Sequence, residues 1–246
     1  MKADPFAQLK LLDVAEIDAR ILQQRHTLSH LPETAKITAL QAERKKIDDS
    51  AIDARTTRDD LAVAQAKAEK DVEAVRLRRS KEQQRIDAGQ VSHPKDLERL
   101  QAELANIDRR IAVLEDQELV VMEQLESATA TADEFDAQVA QLDAQIAELA
   151  AARTERAATT EKELAEAVDD RRVTIAGLPD DLLGLYDQIR ARSGIGAAEL
   201  RARQCGGCRL SIDAGELSRI RTALVADVVR HEECGVILVR TSESGL

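Results

Sequence analysis

The chain has 246 residues and a formal net charge of −11; 33% of it is charged, 1% is aromatic, and it holds only four prolines and ten glycines. That profile belongs to long helices rather than to a packed α/β enzyme, and it excludes a large core. With no run of about 18 apolar residues and no basic-then-apolar amino terminus, neither a membrane span nor a signal peptide is predicted, and a cytoplasmic protein is expected.

Asp4-Pro5 opens a first helix that is expected to run to about Ser29, with Leu9, Leu12, Val14, Ile17, Ile21 and Leu28 forming a broad apolar stripe. Leu31-Pro32 ends it. A first long arm follows from Glu33 to Ala88, with Ile37, Leu40, Ile47, Ala51, Ala54, Leu61, Ala68, Val72, Val75 and Ile86 along one seam. Arg44, Arg58 and Arg79 fall at other seam positions and must snorkel.

The stretch Ala88-Gly89-Gln90-Val91-Ser92-His93-Pro94 breaks the pattern: Gly89 suits a positive φ past a helix end, and Pro94 suits the first position of a new helix, with Ser92 or His93 as its cap. Beyond it, apolar residues recur alternately three and four apart, through Leu97, Leu100, Leu104, Ile107, Ile111 and Leu114, then Val121, Leu125, Ala128, Ala132, Phe135, Val139, Leu142, Ile146 and Leu149. Only Glu118 interrupts. A sustained repeat of seven implies a left-handed coiled coil, and a turn near Gly89 pairs two arms of roughly 55 residues, about 80 Å long. The alternative is a parallel coiled coil between chains with a local kink at the break. Paired about the turn, Leu149 lies opposite Pro32, so residues 150 to about 170 overhang, and the first helix is expected to pack there as a three-helix base.

Past Asp169-Asp170 the heptads stop. Leu178-Pro179-Asp180-Asp181 reads as a new helix start and Gly194 as its stop. Short strands are expected at Ile195 to Arg203, Leu210 to Ile212, Val228 to Arg230 and Val236 to Arg240, with a small helix from Ala214 to Thr222. The division expected is 1–175, a helical hairpin domain, and 176–246, a linker helix and a small domain with almost no core of its own.

What can hold that small domain is Cys205-Gly-Gly-Cys208 with His231-Glu-Glu-Cys234-Gly235. Two pairs, each separated by two residues, offer four ligands for tetrahedral Zn²⁺ and leave no position open for water, so one structural zinc on Cys205, Cys208, His231 and Cys234 is expected. The glycine after Cys234 suits a tight knuckle that aims backbone N–H groups at sulfur. Zn²⁺ with three thiolates and a neutral imidazole carries −1. An incomplete three-cysteine site is the plainer alternative, and a thioredoxin-like dithiol lacks the βαβ context it needs.

The chain resembles the bacterial family that joins an amino-terminal coiled-coil hairpin to a carboxy-terminal C4-type zinc ribbon. The resemblance spans nearly the whole length. It rests on Ser92-His93-Pro94-Lys95-Asp96-Leu97, Leu100-Gln101-Ala102-Glu103, Leu114 to Leu119 with Met122-Glu123, Leu185-Tyr186 and the two knuckles. The family pattern has cysteine where this chain has His231. The resemblance implies a mainly α fold: a long antiparallel coiled-coil hairpin with a short N-terminal helix, followed by a small ribbon with short β-strands. It also implies a non-enzymatic adaptor; some members are linked to flagellar or type III export machinery and to an alternative sigma factor, and the ribbon suggests nucleic-acid binding.

Charge adds to this. From Glu115 to Asp170, sixteen acidic residues stand against three basic ones, a balance of −13, which leaves the remainder slightly basic. Arg76, Arg78, Arg79 and Arg85 near the turn, and Arg201, Arg203 and Arg209 at the ribbon, are candidate phosphate contacts. The plainer reading makes them solvated faces or partners of the acidic arm. Stacking on bases is not expected, since Phe6, Phe135 and Tyr186 are the only aromatic residues. His26 and His30 stand four apart on one helix without an evident third ligand. No phosphate loop, nucleophile elbow or carboxylate pair in a pocket-forming context occurs, so catalysis is not expected. The readings are thus a protein-binding adaptor, a nucleic-acid binder, or a structural spacer or homo-oligomer, with a monomer favoured and no membrane partner.

Overall fold

The structure, a computed structural model, describes residues 1–246. Contacts divide it into two compact units, one formed by Ala35–Ala150 and the other by Met1–Thr34 together with Ala151–Leu246. The boundaries fall inside two long helices, α2 (Pro32–Asp87) and α3 (Pro94–Ile175); before them comes α1 (Pro5–Ser29). This grouping follows contacts, whereas the 1–175/176–246 division follows a change in sequence character.

The unit Ala35–Ala150 is an antiparallel helical hairpin within one chain. Gly89 takes φ 65°, and the N–H groups of Gly89 and Gln90 close back on the carbonyls of Ile86 and Arg85 at 2.9 and 3.1 Å, so the end of α2 is a Schellman motif. Along α3 the seam residues Leu100, Leu104, Ile107, Ile111 and Leu114 are buried, and along α2 so are Ile37, Ala51 and Val72. Each large aliphatic side chain so buried contributes about 1.5–3 kcal/mol. The seam arginines do snorkel: Arg44 reaches Asp143 at 2.6 Å, Arg79 reaches Asp108, and Arg58 turns to Asp59 at 2.8 Å.

In the other unit, Asp4 caps α1 by accepting from the N–H groups of Phe6 and Ala7. The buried stripe of α1 serves two neighbours. Ile17 and Ile21 meet Leu164 and Ala167 of α3, so α1 packs on the overhang as expected, in a cluster of two helices rather than three. Ala7, Leu11 and Val14 instead pack with Leu182, Tyr186 and Ile189 of α4 (Asp180–Ser193) and with Ala197, Ile237 and Val239 of the sheet. Gly194, at φ 81°, ends α4 as expected.

A buried polar node joins the same helices. Asp18 of α1 receives the Tyr186 hydroxyl at 2.8 Å, Arg171 Nε at 2.8 Å and Arg190 Nη2 at 3.2 Å, while Arg171 also reaches Asp187 at 2.7 Å. Burial, then the bond to Asp18, pushes the Tyr186 phenol well above its ordinary pKa.

The sheet has four strands in the order β2-β1-β4-β3: β1 (Ala197–Arg201), β2 (Gln204–Cys205), β3 (Val229–Arg230) and β4 (Ile237–Arg240). β1 and β4 run parallel; the outer pairs are antiparallel. The small helix α5 (Ala214–Thr222) falls between β2 and β3, as expected. Three expectations are corrected here. The strand expected at Ile195 to Arg203 stops at Arg201, because Ala202 and Arg203 both take left-handed φ, 47° and 65°, in a two-residue turn. That turn hydrogen-bonds the carbonyls of Glu243 and Ser244 at 2.8 and 3.0 Å. Leu210 to Ile212 is no strand; Ser211 makes only an isolated bridge to Gln204. The ribbon also has more core than expected: one face of the sheet buries Ala198, Leu200, Ile212, Ile220, Val236 and Leu238 around Cys205, and the other belongs to the core with α1 and α4.

Arg240 fastens the loop after α5. Its guanidinium donates to the carbonyls of Ile220, Ala223, Leu224, Val225 and Asp227 at 2.8–3.4 Å. The amino terminus closes on the same loop, with Ala3 N–H on Ala226 O at 2.8 Å and Val228 N–H on Met1 O at 3.1 Å.

Candidate metal centre

Both knuckles are built alike. In the first, Arg209 N–H bonds Cys205 O at 2.7 Å and Arg209 takes φ 62°; in the second, Gly235 N–H bonds His231 O at 2.8 Å and Gly235 takes φ 72°. Each pair of side chains, separated by two residues, is thereby turned to one side of a tight loop whose fifth residue is left-handed. Glycine reveals that conformation at position 235, whereas Arg209 hides it.

The four side chains converge. Cys205, Cys208, His231 and Cys234 place one ligand atom each, all within 4.8 Å of one another. Cys205 Sγ lies 3.8 Å from Cys234 Sγ, and His231 Nδ1 lies 3.4 Å from Cys208 Sγ and 3.2 Å from Cys234 Sγ. Bonds of about 2.3 Å to sulfur and 2.0–2.1 Å to nitrogen set tetrahedral edges of about 3.8 Å between sulfurs and about 3.5 Å between sulfur and nitrogen. The donor set fits Zn²⁺ in kind and in spacing. Cys205 and His231 are buried, while Cys208 and Cys234 are partly exposed.

Desolvation pushes the Cys205 thiol up to about 11, opposed by the N–H groups of Cys208 and Gly207. At Cys208 desolvation acts the same way but is outweighed by hydrogen bonds from the Leu210 N–H and neighbouring thiols, and its pKa falls below the ordinary value. Zinc therefore displaces a proton at least from Cys205 when it binds near neutral pH.

The sequence did not single out Glu216. It sits in the first turn of α5, buried, with Oε2 3.8 Å from His231 Nε2. Its nearness to His231 has no local signal, being made by the packing of α5.

The other candidates fare differently. His26 and His30 stack at 4.3 Å between ring centroids, and His30 Nδ1 lies 2.8 Å from Ser29 Oγ; no third ligand joins them. The arginines considered for phosphate are mostly engaged: Arg76 with Glu115, Arg78 with Glu103, Arg79 with Asp108, Arg85 with Glu82, Arg201 with Glu243, and Arg203 with Gly245 O. Tyr186 is fully buried, and Phe135 is partly buried at its seam position; only Phe6 is exposed.

Comparison with known proteins agrees with this architecture. Residues 14–194 match the family model of the CT398-like coiled coil hairpin domain, and residues 204–238 match that of the C4-type zinc ribbon domain. An uncharacterized protein of Mycobacterium tuberculosis (strain H37Rv) is 34% identical over 248 residues, covering 98% of each chain. A solved structure from Mycobacterium smegmatis superposes with a TM-score of 0.80 at 33% identity, covering 98% of this chain and 100% of that one. CT398 from Chlamydia trachomatis shares the fold, with a TM-score of 0.59 at 14% identity over 96% and 98% of the two chains. The ribbon takes one structural Zn²⁺. No helix is long and apolar enough to cross a membrane.

Proposed function

Because the chain belongs to the family that joins a CT398-like coiled coil hairpin domain to a C4-type zinc ribbon domain, we propose that it is a non-enzymatic adaptor that binds protein partners through the hairpin and the ribbon. Zinc on Cys205, Cys208, His231 and Cys234 supplies the ribbon's shape. All four donors are protein side chains, so no coordination position serves a reactant.

The observation that carries the reading lies on α3. Leu119 and Met122, one turn apart, are 56% and 42% exposed, off a seam that buries the aliphatic residues before it, and Glu118, Glu123 and Glu126 stand near them. Together with Gln65 of α2, Leu119 and Met122 line a shallow cavity on the flank of the hairpin, and exposed apolar residues so grouped suit a partner that covers them. The nucleic-acid reading has less support, since six of its seven arginines are already engaged by acidic side chains or a carbonyl.

The test is capture of crosslinked partners from native extract by the full chain and by a Leu119→Glu/Met122→Glu variant. Discrete proteins held by the parent, insensitive to nuclease, and lost by the variant at unchanged helicity are expected. Identical capture by both, or steep salt-dependent binding of RNA or DNA with no protein captured, overturns it.

A further inference from the structure

We infer that Glu216 is a positioning residue for the zinc site: its carboxylate takes the Nε2–H of His231 and fixes the ring in the tautomer and orientation that present Nδ1 to the ion. This rests on the reading of His231 as a ligand.

The two ring nitrogens of His231 face different chemistry. Nδ1 lies among sulfurs, 3.2 Å from Cys234 and 3.4 Å from Cys208, while Nε2 points to Glu216 Oε2 at 3.8 Å. A neutral imidazole carries one proton, so ligation through Nδ1 requires it on Nε2. His231 is 1% exposed and Glu216 4%, which leaves little room for water to serve either the N–H or the carboxylate. The two atoms stand facing each other, just beyond hydrogen-bond range. A small shift of the carboxylate brings the pair from 3.8 Å into the hydrogen-bonding range of about 2.7–3.2 Å.

Glu216 is itself held from two sides. Its N–H bonds Asp213 Oδ1 at 3.0 Å in the cap of α5, and its Oε1 accepts the Glu232 N–H at 2.9 Å. Of the neighbouring acids, Asp213 holds that cap through Oδ1 and Glu232 pairs with Arg219 through Oε1, and among the three only Glu216 brings an oxygen within 4 Å of the imidazole. A thiolate in place of His231 would need no such partner, having no tautomer to fix. Glu216 is thus the counterpart that histidine at this knuckle demands, and it ties α5 to the metal.

A glutamine at 216 has one acceptor oxygen and an amide NH₂ that can only donate, so it can serve the Glu232 N–H or the His231 Nε2–H but not both. In the full-length chain, zinc affinity measured by chelator competition is expected to fall about tenfold or more in Glu216→Gln. The same substitution in a His231→Cys background is expected to change affinity by less than about twofold. In the zinc-loaded parent, ¹⁵N spectra of the histidine ring should show a protonated Nε2 and a metal-bound Nδ1. Parent-like affinity in Glu216→Gln, or an equal loss in the His231→Cys background, overturns the inference and leaves His231 as a ligand. Parent-like affinity in His231→Ala overturns the ligand reading itself, and the inference with it.

Discussion

The hairpin unit and the ribbon unit use opposite strategies of stabilisation. Between Ala35 and Ala150 the same contact is repeated: an aliphatic residue every three or four positions, flanked by exposed Arg–Asp and Arg–Glu pairs. No single contact there is unique. In the other unit, stability is gathered into a few singular groups: the clustered Cys205, Cys208, His231 and Cys234, Asp18 beneath Tyr186, and Arg240 with its five carbonyls. A repeated seam tolerates the loss of one member, whereas a singular group leaves several partners unsatisfied at once.

The largest break in that comparison should come from the metal. Chelating zinc, or replacing Cys234 with Ser, is expected to abolish amide-exchange protection across 197–240 while far-UV helicity is largely kept, because the helices need no metal. Loss of most of the helical signal would show that the two strategies are not separable. The next is Asp18→Ala, which strips the acceptor from Tyr186, Arg171 and Arg190 together; a cost of about 3 kcal/mol in denaturant unfolding is expected for removing one partner of a buried pair. A cost no greater than that of an exposed hairpin pair would erase the distinction.

The smallest effect concerns the hairpin's ion pairs. The hydrogen bond from Arg79 holds the Asp108 carboxyl below its ordinary pKa, and that from Arg44 does the same for Asp143. Folded values below unfolded ones mean that this contribution is fully present above about pH 4 and is lost as pH falls through the depressed values. Being exposed, these pairs contribute little. A slight drop in the thermal midpoint of the wild type on acidification, reduced in Arg44→Gln/Arg79→Gln, would sharpen the contrast; a drop as large as that from Asp18→Ala would reverse it.

The same contrast governs what can be read without coordinates. Periodicity announces the seam, and Pro5, Pro94 and Gly194 mark helix ends to within a residue of those found. The x₂ spacing of the knuckles announces the four clustered groups. Singular contacts leave no such trace. Nothing local in Arg240 foretells five carbonyls, nothing in Glu216 foretells His231, and the left-handed Ala202, Arg203 and Arg209 look like residues that would extend a strand. The docking of Ala7, Leu11 and Val14 on the sheet was hidden for another reason: it joins segments near opposite ends of the chain.

That last separation bears on how the chain folds. The unit that holds the metal is interrupted by Ala35–Ala150, so its halves must meet across an intervening segment of 116 residues. Closing a disordered loop of that length costs about 4 kcal/mol by the logarithmic scaling of loop entropy. A helical hairpin built from local repeats forms early, and once formed it brings its own two ends together, so that Thr34 and Ala151 are no longer the ends of a disordered loop. Docking of Ala7, Leu11 and Val14 on the sheet is therefore expected to follow zippering of the hairpin, whereas the four clustered metal-binding side chains lie in one contiguous stretch, so that seam substitutions such as Leu104→Ala are expected to slow the docking of α1 and not the return of zinc binding.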